Sequence, residues 1–126
     1  MDDATLVYDD NCGFCTWSAD WIVERSDLEL VGFSELSPEL LERLPDDYEE
    51  CAHLVTDDAV YSCGESVEQA LLRSEYADEI RPLYEFARQF EEYADLRERA
   101  YRWGADNRDK LGKIVSKTPP ARKTDD

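Results

Sequence analysis

The chain has 126 residues, 42% hydrophobic and 11% aromatic, which suits one compact domain able to bury its own core without disulfide staples. Asp and Glu total 31 against 14 Lys and Arg, a net charge of −17 with a pI near 4.3, so no nucleic acid and no membrane surface is expected as a partner. No run approaches the roughly 18 apolar residues of a membrane span, and the acidic start MDDATLVYDD lacks the basic and long apolar regions of a secretory signal; the expected location is cytoplasmic.

Ala4 to Tyr8 is short, apolar and β-prone, and the polar turn Asp9-Asp10-Asn11 ends it. Phe14, Trp17, Trp21 and Ile22 then recur at helical spacing through Arg25, with Trp17 and Trp21 read as core residues. Leu28 to Phe33 reads as a second strand. Ser37-Pro38, an N-cap followed by proline at the first helical position, opens a short helix through Leu44.

Ala52 to Thr56 and Val60 to Cys63, joined across Asp57-Asp58-Ala59, form a hairpin signal. Ser66 to Gln69 reads as a capping box leading a helix through Ser74. Ile80, Leu83, Tyr84, Ala87, Phe90 and Ala94 mark another helix. Asp95 to Glu98 reads as a second capping box, opening a helix with the stripe Leu96, Ala100, Trp103 and Leu111. The domain is expected over 1–116, with a disordered tail at 117–126. Strand, helix, strand, helix, hairpin, helix is an α/β order, a βαβ unit followed by ββα, with further C-terminal helices.

The stretch Tyr8 to Cys15, YDDNCGFC, carries the chemistry. Two cysteines three positions apart can cycle between dithiol and disulfide, clamp a metal, or fill space. At the first turn of a helix, free N–H groups and the helix dipole favour a thiolate at Cys12, and Cys15, one turn later, can reach the same sulfur. The expectation is an exposed Cys12 and a shielded Cys15. Zinc wants four ligands, commonly as two close pairs, and Cys51, His53 and Cys63 do not form a second close pair. A metal-binding or protein-interaction module on the same fold is the alternative from another class. If Asp57 and Asp58 form a two-residue turn, Cys63 falls opposite Ala52, one position from Cys51. Successive strand side chains alternate faces, so Cys51 and Cys63 read as two ordinary buried thiols. His53, the one histidine, reads as a half-buried strand residue. The acidic pairs Asp46-Asp47, Glu49-Glu50 and Glu91-Glu92 read as solvated surface. With no glycine-rich phosphate loop, no cofactor is called for.

Asp9-x-x-Cys12-x-x-Cys15 after an apolar strand resembles the DCC family, named for that Asp-Cys-Cys pattern. The likeness continues through Leu54 to Tyr61, Gly64 to Val67, Tyr101-Arg102-Trp103 and Asn107-Arg108, about residues 4–112. The resemblance implies a thioredoxin-like fold and thiol-disulfide oxidoreductase activity, with Cys12 as nucleophile, Cys15 as resolving thiol and Asp9 as the signature carboxylate. It implies a protein or small-molecule thiol or disulfide as substrate and an external reductant or oxidant. Unlike thioredoxins proper, the chain has no proline directly before the third strand; Pro45 is separated from Ala52 by Asp46 to Cys51. The carboxylates oppose the helix dipole. Asp9 is therefore expected to cap loop N–H groups or relay a proton, and Asp10 to be surface charge.

The charge is uneven. Residues 1–95 carry 5 basic and 26 acidic side chains, and residues 96–126 carry 9 basic and 5 acidic ones. A basic C-terminal helix can dock on the acidic body or present a solvated face. The acidic excess suits a halophile-type protein in a salty cytoplasm, where a Debye length of about 3 Å at 1 M mutes self-repulsion. The expected outcome is a higher melting temperature in molar KCl than in dilute buffer by far-UV circular dichroism; equal melting in both removes the salt-adaptation reading.

Overall fold

The computed structural model describes residues 4–115; the tail at 117–126 lies outside them. The elements are β1 (Thr5–Tyr8), α1 (Gly13–Val23), β2 (Glu29–Gly32), α2 (Pro38–Arg43), β3 (His53–Val55), β4 (Val60–Ser62), α3 (Gly64–Leu71), α4 (Ala77–Ala87), α5 (Glu92–Asp106) and α6 (Arg108–Gly112). The four strands form one sheet in the order β2-β1-β3-β4. β1 runs parallel to β2, with Leu6 opposite Leu30, and antiparallel to β3, with Leu6 opposite Leu54. β3 and β4 form the hairpin, and their pairing of Val55 with Val60 leaves Asp57 and Asp58 at its tip. This is the thioredoxin-like α/β order that the sequence implies, with α4, α5 and α6 added after it.

Strand alternation divides the core into two layers. Leu6, Tyr8 and Leu54 face α1 and α3, where Ala19, Ile22 and Ala70 meet them. Val7 and Val55 face the opposite way, onto Leu44 with Leu40 and Phe33 alongside. Leu54 and Val7 have no exposed surface, and burying each contributes on the order of 1.5–3 kcal/mol. On α2, Ser37 Oγ accepts from Leu40 N at 3.2 Å and Pro38 takes the first helical position, as the sequence predicts.

Three later boundaries differ from the sequence reading. α3 starts at Gly64, two residues before the expected cap, and Ser66 instead donates its hydroxyl to Cys63 O at 2.6 Å from inside the first turn. The cap is supplied from elsewhere, since Glu98 Oε1 accepts Gly64 N at 2.9 Å and places an anion at the helix N-terminus. The helix expected through Ala94 breaks after Ala87, and α5 begins at Glu92, so Asp95 lies in its first turn. The expected apolar stripe on α5 also faces outward, with Leu96 65% and Trp103 62% exposed. The inward contacts come from Tyr93, Arg97 and Tyr101, spaced four residues apart. Tyr93 donates its hydroxyl to Glu68, Arg97 Nη1 lies 3.1 Å from Glu68 Oε2, and Tyr101 Oη accepts Ala52 N at 3.0 Å.

Asp10 is not surface charge. It is 2% exposed, and its carboxylate accepts Ser34 N at 3.4 Å and the Ser34 hydroxyl. Gly32 makes room for it, because a Cβ there would lie 2.1 Å from Asp10 Oδ2. The loop that follows β1 is thereby fastened to the end of β2. A buried acceptor that loses its partners costs about 1–3 kcal/mol, and forcing a methyl into a filled site costs a similar amount. Asp10→Ala and Gly32→Ala are each expected to lower unfolding free energy by about 1–3 kcal/mol in chemical denaturation; wild-type midpoints in both would show that this tether holds nothing.

Candidate active site

The junction between β1 and α1 presents the two cysteines because the polar loop ends the strand and the helix begins immediately after Cys12. Cys12 is the N-cap residue of α1, with extended backbone at φ −129° and ψ 122°. Its Sγ accepts the backbone N–H of Cys15 at 3.3 Å, one of the donors that a helix start leaves without a partner. The Cys12 carbonyl is held by Thr16, whose N and Oγ1 each donate to it at 2.9 Å. The first turn of α1 contains no acidic residue. A negative sulfur at Cys12 would therefore meet the helix dipole and an N–H aimed at it.

Both cysteines are free thiols and both are half-buried, so the expected contrast between an exposed first and a shielded second sulfur is not found in their exposure. Burial pushes the Cys15 thiol well above its ordinary pKa. The hydrogen bond and charge of Cys12 add to the rise, Arg108 opposes it, and Asp9 adds to it. Cys15 is thus held as the protonated thiol.

Asp9 sits beside this pair and makes two kinds of contact. Its Oδ1 accepts Asn11 N at 2.9 Å, which folds the loop over the carboxylate, and its Oδ2 lies 3.4 Å from Arg108 Nη1. The loop N–H contact is the one the sequence predicts. Arg108 comes from the first residue of α6, nearly a hundred positions away, and its charge is felt by both cysteines as well as by Asp9. No local motif marks Arg108 as a site residue; its signal in the sequence is its place in the basic C-terminal segment and in the family-like Asn107-Arg108 pair.

Behind the dithiol lies a cavity of about 370 Å³, largely apolar, walled by α1, α3 and α5. Cys15, Asp9, Arg108 and Tyr101 reach it, and so do Cys51 and Ala52 from the segment directly before β3. Burial raises the pKa of Tyr101, although its bond from Ala52 and the charge of Arg108 pull the other way, so the ring stays a phenol. No cis peptide bond occurs among the described residues.

Cys51 and Cys63 are not two ordinary thiols; they form a disulfide, with Cα atoms 5.1 Å apart. The expected register is correct, since Cys63 N donates to Ala52 O at 2.9 Å. The inference from alternating faces fails because neither cysteine lies within a strand. Cys51 precedes β3, and Cys63 follows β4 with φ 57° and ψ −129°, a conformation that residues with side chains rarely adopt. That departure from the pleat frees Cys63 from strand alternation.

His53 is 1% exposed, more buried than the sequence suggests. Its Nε2 lies 2.8 Å from Tyr48 O and its Nδ1 2.8 Å from Ser62 Oγ. The carbonyl can only accept, so Nε2 carries the proton and Nδ1 accepts the serine hydroxyl. Burial lowers its pKa, and the ring is neutral and fully engaged. Among the described residues no group of three or more His, Cys, Asp or Glu is arranged to hold a metal ion, and no helix is long and apolar enough to cross a membrane.

A family model described as DCC1-like thiol-disulfide oxidoreductase matches residues 6–113, a span that includes both cysteine pairs, Asp9 and Arg108. The chain matches no curated protein and no solved structure. The electrostatics predict unequal thiols. In folded Cys12→Ser protein at about pH 8.5, near the ordinary thiol pKa, Cys15 is expected to resist iodoacetamide, and in folded Cys15→Ser protein Cys12 is expected to react. Peptide mass mapping checks this, and equal labelling would contradict the assignment of Cys15 as the suppressed thiol.

Proposed function

We propose, from the premise that the chain belongs to the DCC1-like thiol-disulfide oxidoreductase family, that it exchanges disulfides through Cys12 and Cys15. The observation that carries this reading is Cys12 at the N-cap of α1, with its sulfur receiving the Cys15 N–H. Cys12 thiolate attacks one sulfur of a substrate disulfide, and the other substrate sulfur leaves with the electron pair and takes up a proton. Cys15, once deprotonated, attacks Cys12 Sγ, expels the second substrate thiol and closes the Cys12–Cys15 disulfide. The substrate is reduced by two electrons, and an external thiol reductant restores the dithiol. The same steps run backwards with an oxidant.

The second step needs a base, because Cys15 is held protonated. Asp9 is the carboxylate beside it, fixed by Asn11 N on one oxygen and Arg108 on the other. It takes the Cys15 proton while Arg108 balances the negative charge shared among Asp9 and the two sulfurs. We place this reaction in a salty cytoplasm, consistent with the acidic composition.

Cys15→Ser is expected to accumulate a mixed disulfide between Cys12 and a substrate disulfide such as oxidised glutathione, and Cys12→Ser is not. Asp9→Asn is expected to slow closure of the Cys12–Cys15 bond, on the order of 10²-fold as for loss of a general base, and to change its pH profile. Quenched-flow alkylation with mass mapping reads both. Stoichiometric zinc in the purified protein together with no reversible Cys12–Cys15 disulfide would instead favour a metal-binding module.

A further inference from the structure

Within one molecule the two cysteine pairs stand in opposite redox states: Cys12 and Cys15 are thiols, and Cys51 and Cys63 are a disulfide. Cys15 and Cys51 open onto the same cavity. Tyr101 also lines it, bonded to Ala52 N next to Cys51 and close enough to Cys15 to feel its charge. The Cys51–Cys63 bond joins the segments just outside β3 and β4, beside a register the sheet already holds, with Cys63 N bonded to Ala52 O and His53 paired with Ser62. Cys63 also carries the rare backbone conformation at φ 57°, of a kind that concentrates at functional positions.

We propose that Cys51 and Cys63 are a second redox pair that exchanges electrons with Cys12–Cys15 across the shared cavity, through a transient Cys15–Cys51 bond. This rests on the exchange reading of Cys12 and Cys15 given above. After a substrate has oxidised Cys12 and Cys15, a thiolate at Cys51 attacks Cys15 Sγ. The Cys12–Cys15 bond breaks, and Cys12 leaves with the electron pair and takes up a proton. Cys63 thiolate then attacks Cys51 Sγ, the Cys15–Cys51 bond breaks, and Cys15 leaves and is protonated. Two electrons and two protons pass to Cys12 and Cys15, and Cys51–Cys63 becomes the disulfide. An external dithiol reduces that disulfide and completes the cycle.

The test starts from fully reduced wild-type protein given one equivalent of oxidised glutathione, quenched in acid over time, alkylated and mapped by mass spectrometry. The expected course is early Cys12–Cys15 disulfide that converts to Cys51–Cys63 at a rate independent of protein concentration. In Cys51→Ser/Cys63→Ser protein the Cys12–Cys15 disulfide is expected to persist at least tenfold longer. A Cys12–Cys15 disulfide that persists in wild type while Cys51 and Cys63 remain thiols overturns the relay and leaves the exchange reading intact. Failure of Cys12 and Cys15 to form any disulfide removes the exchange reading itself and the relay with it. Cys12→Ser/Cys63→Ser protein, mildly oxidised, is expected to trap the Cys15–Cys51 bond; two free thiols there, with conversion still seen in wild type, overturn the assignment of the connecting sulfurs. The wild-type course involves no substitution and so remains readable if a variant does not fold.

Discussion

Arg97 lies between two carboxylates, 3.1 Å from Glu68 Oε2 and 2.8 Å from Glu98 Oε2, with Glu68 almost wholly withdrawn from solvent. Glu68 also receives the Tyr93 hydroxyl, and Glu98 receives Gly64 N at the start of α3. An exposed pair of this kind would contribute about 0–1 kcal/mol. Here removal of the arginine would leave a desolvated carboxylate without its counter-charge, a change that costs about 3–5 kcal/mol where burial is complete. This cluster docks α5 on α3, and the same helix face continues to Tyr101, against Ala52. The next element, α6, begins at Arg108. The wall of the cavity and the cation beside the dithiol therefore both depend on a contact in which neither Cys12 nor Cys15 takes part.

Carboxylates next to a sulfur that must become an anion look counterproductive, since like charge raises a thiol pKa. The two acidic residues of the loop resolve this in different ways. Asp10 is turned inward and bonded to Ser34, so its job is to fix the loop. Asp9 remains near the cysteines, but Arg108 lies 3.4 Å away and opposes its effect at Cys15. What separates the two sulfurs is mainly solvation and direction: Cys12 has an N–H aimed at it, and Cys15 is driven toward the neutral thiol by burial. A proton acceptor next to a suppressed thiol, rather than next to the attacking one, gives the carboxylate a use in the second half of the proposed exchange.

The parts legible in the sequence were those set by short-range pattern. The β1 strand, the dithiol at the mouth of α1, the Ser37-Pro38 helix start and the β3–β4 register all follow from local periodicity, caps and turn chemistry. The parts that were not legible depend on partners distant in the chain. Ser66 looks like a cap, but Glu98 holds the helix start at Gly64. Leu96 and Trp103 look like a core stripe, but the body presents carboxylates and a backbone N–H, so α5 turns Tyr93, Arg97 and Tyr101 inward instead. Asp10 reads as surface because nothing local shows that Gly32 leaves a carboxylate-sized space across the sheet edge. The Cys51–Cys63 bond escaped the argument from strand faces because both residues lie just beyond strand ends.

The uncovered apolar face and the buried polar one on the C-terminal helices share a cause. An acidic body attracts basic and hydroxyl-bearing side chains, and once Arg97 and Tyr101 occupy the inner face, helical geometry sends Leu96 and Trp103 outward. The same choice leaves Tyr101 and Arg108 among the polar groups that line a largely apolar cavity. Charges act more strongly in such a space than in water. A single guanidinium can therefore influence both sulfurs and Asp9 at once, and the chemistry at the β1–α1 junction becomes dependent on how well the C-terminal helices dock.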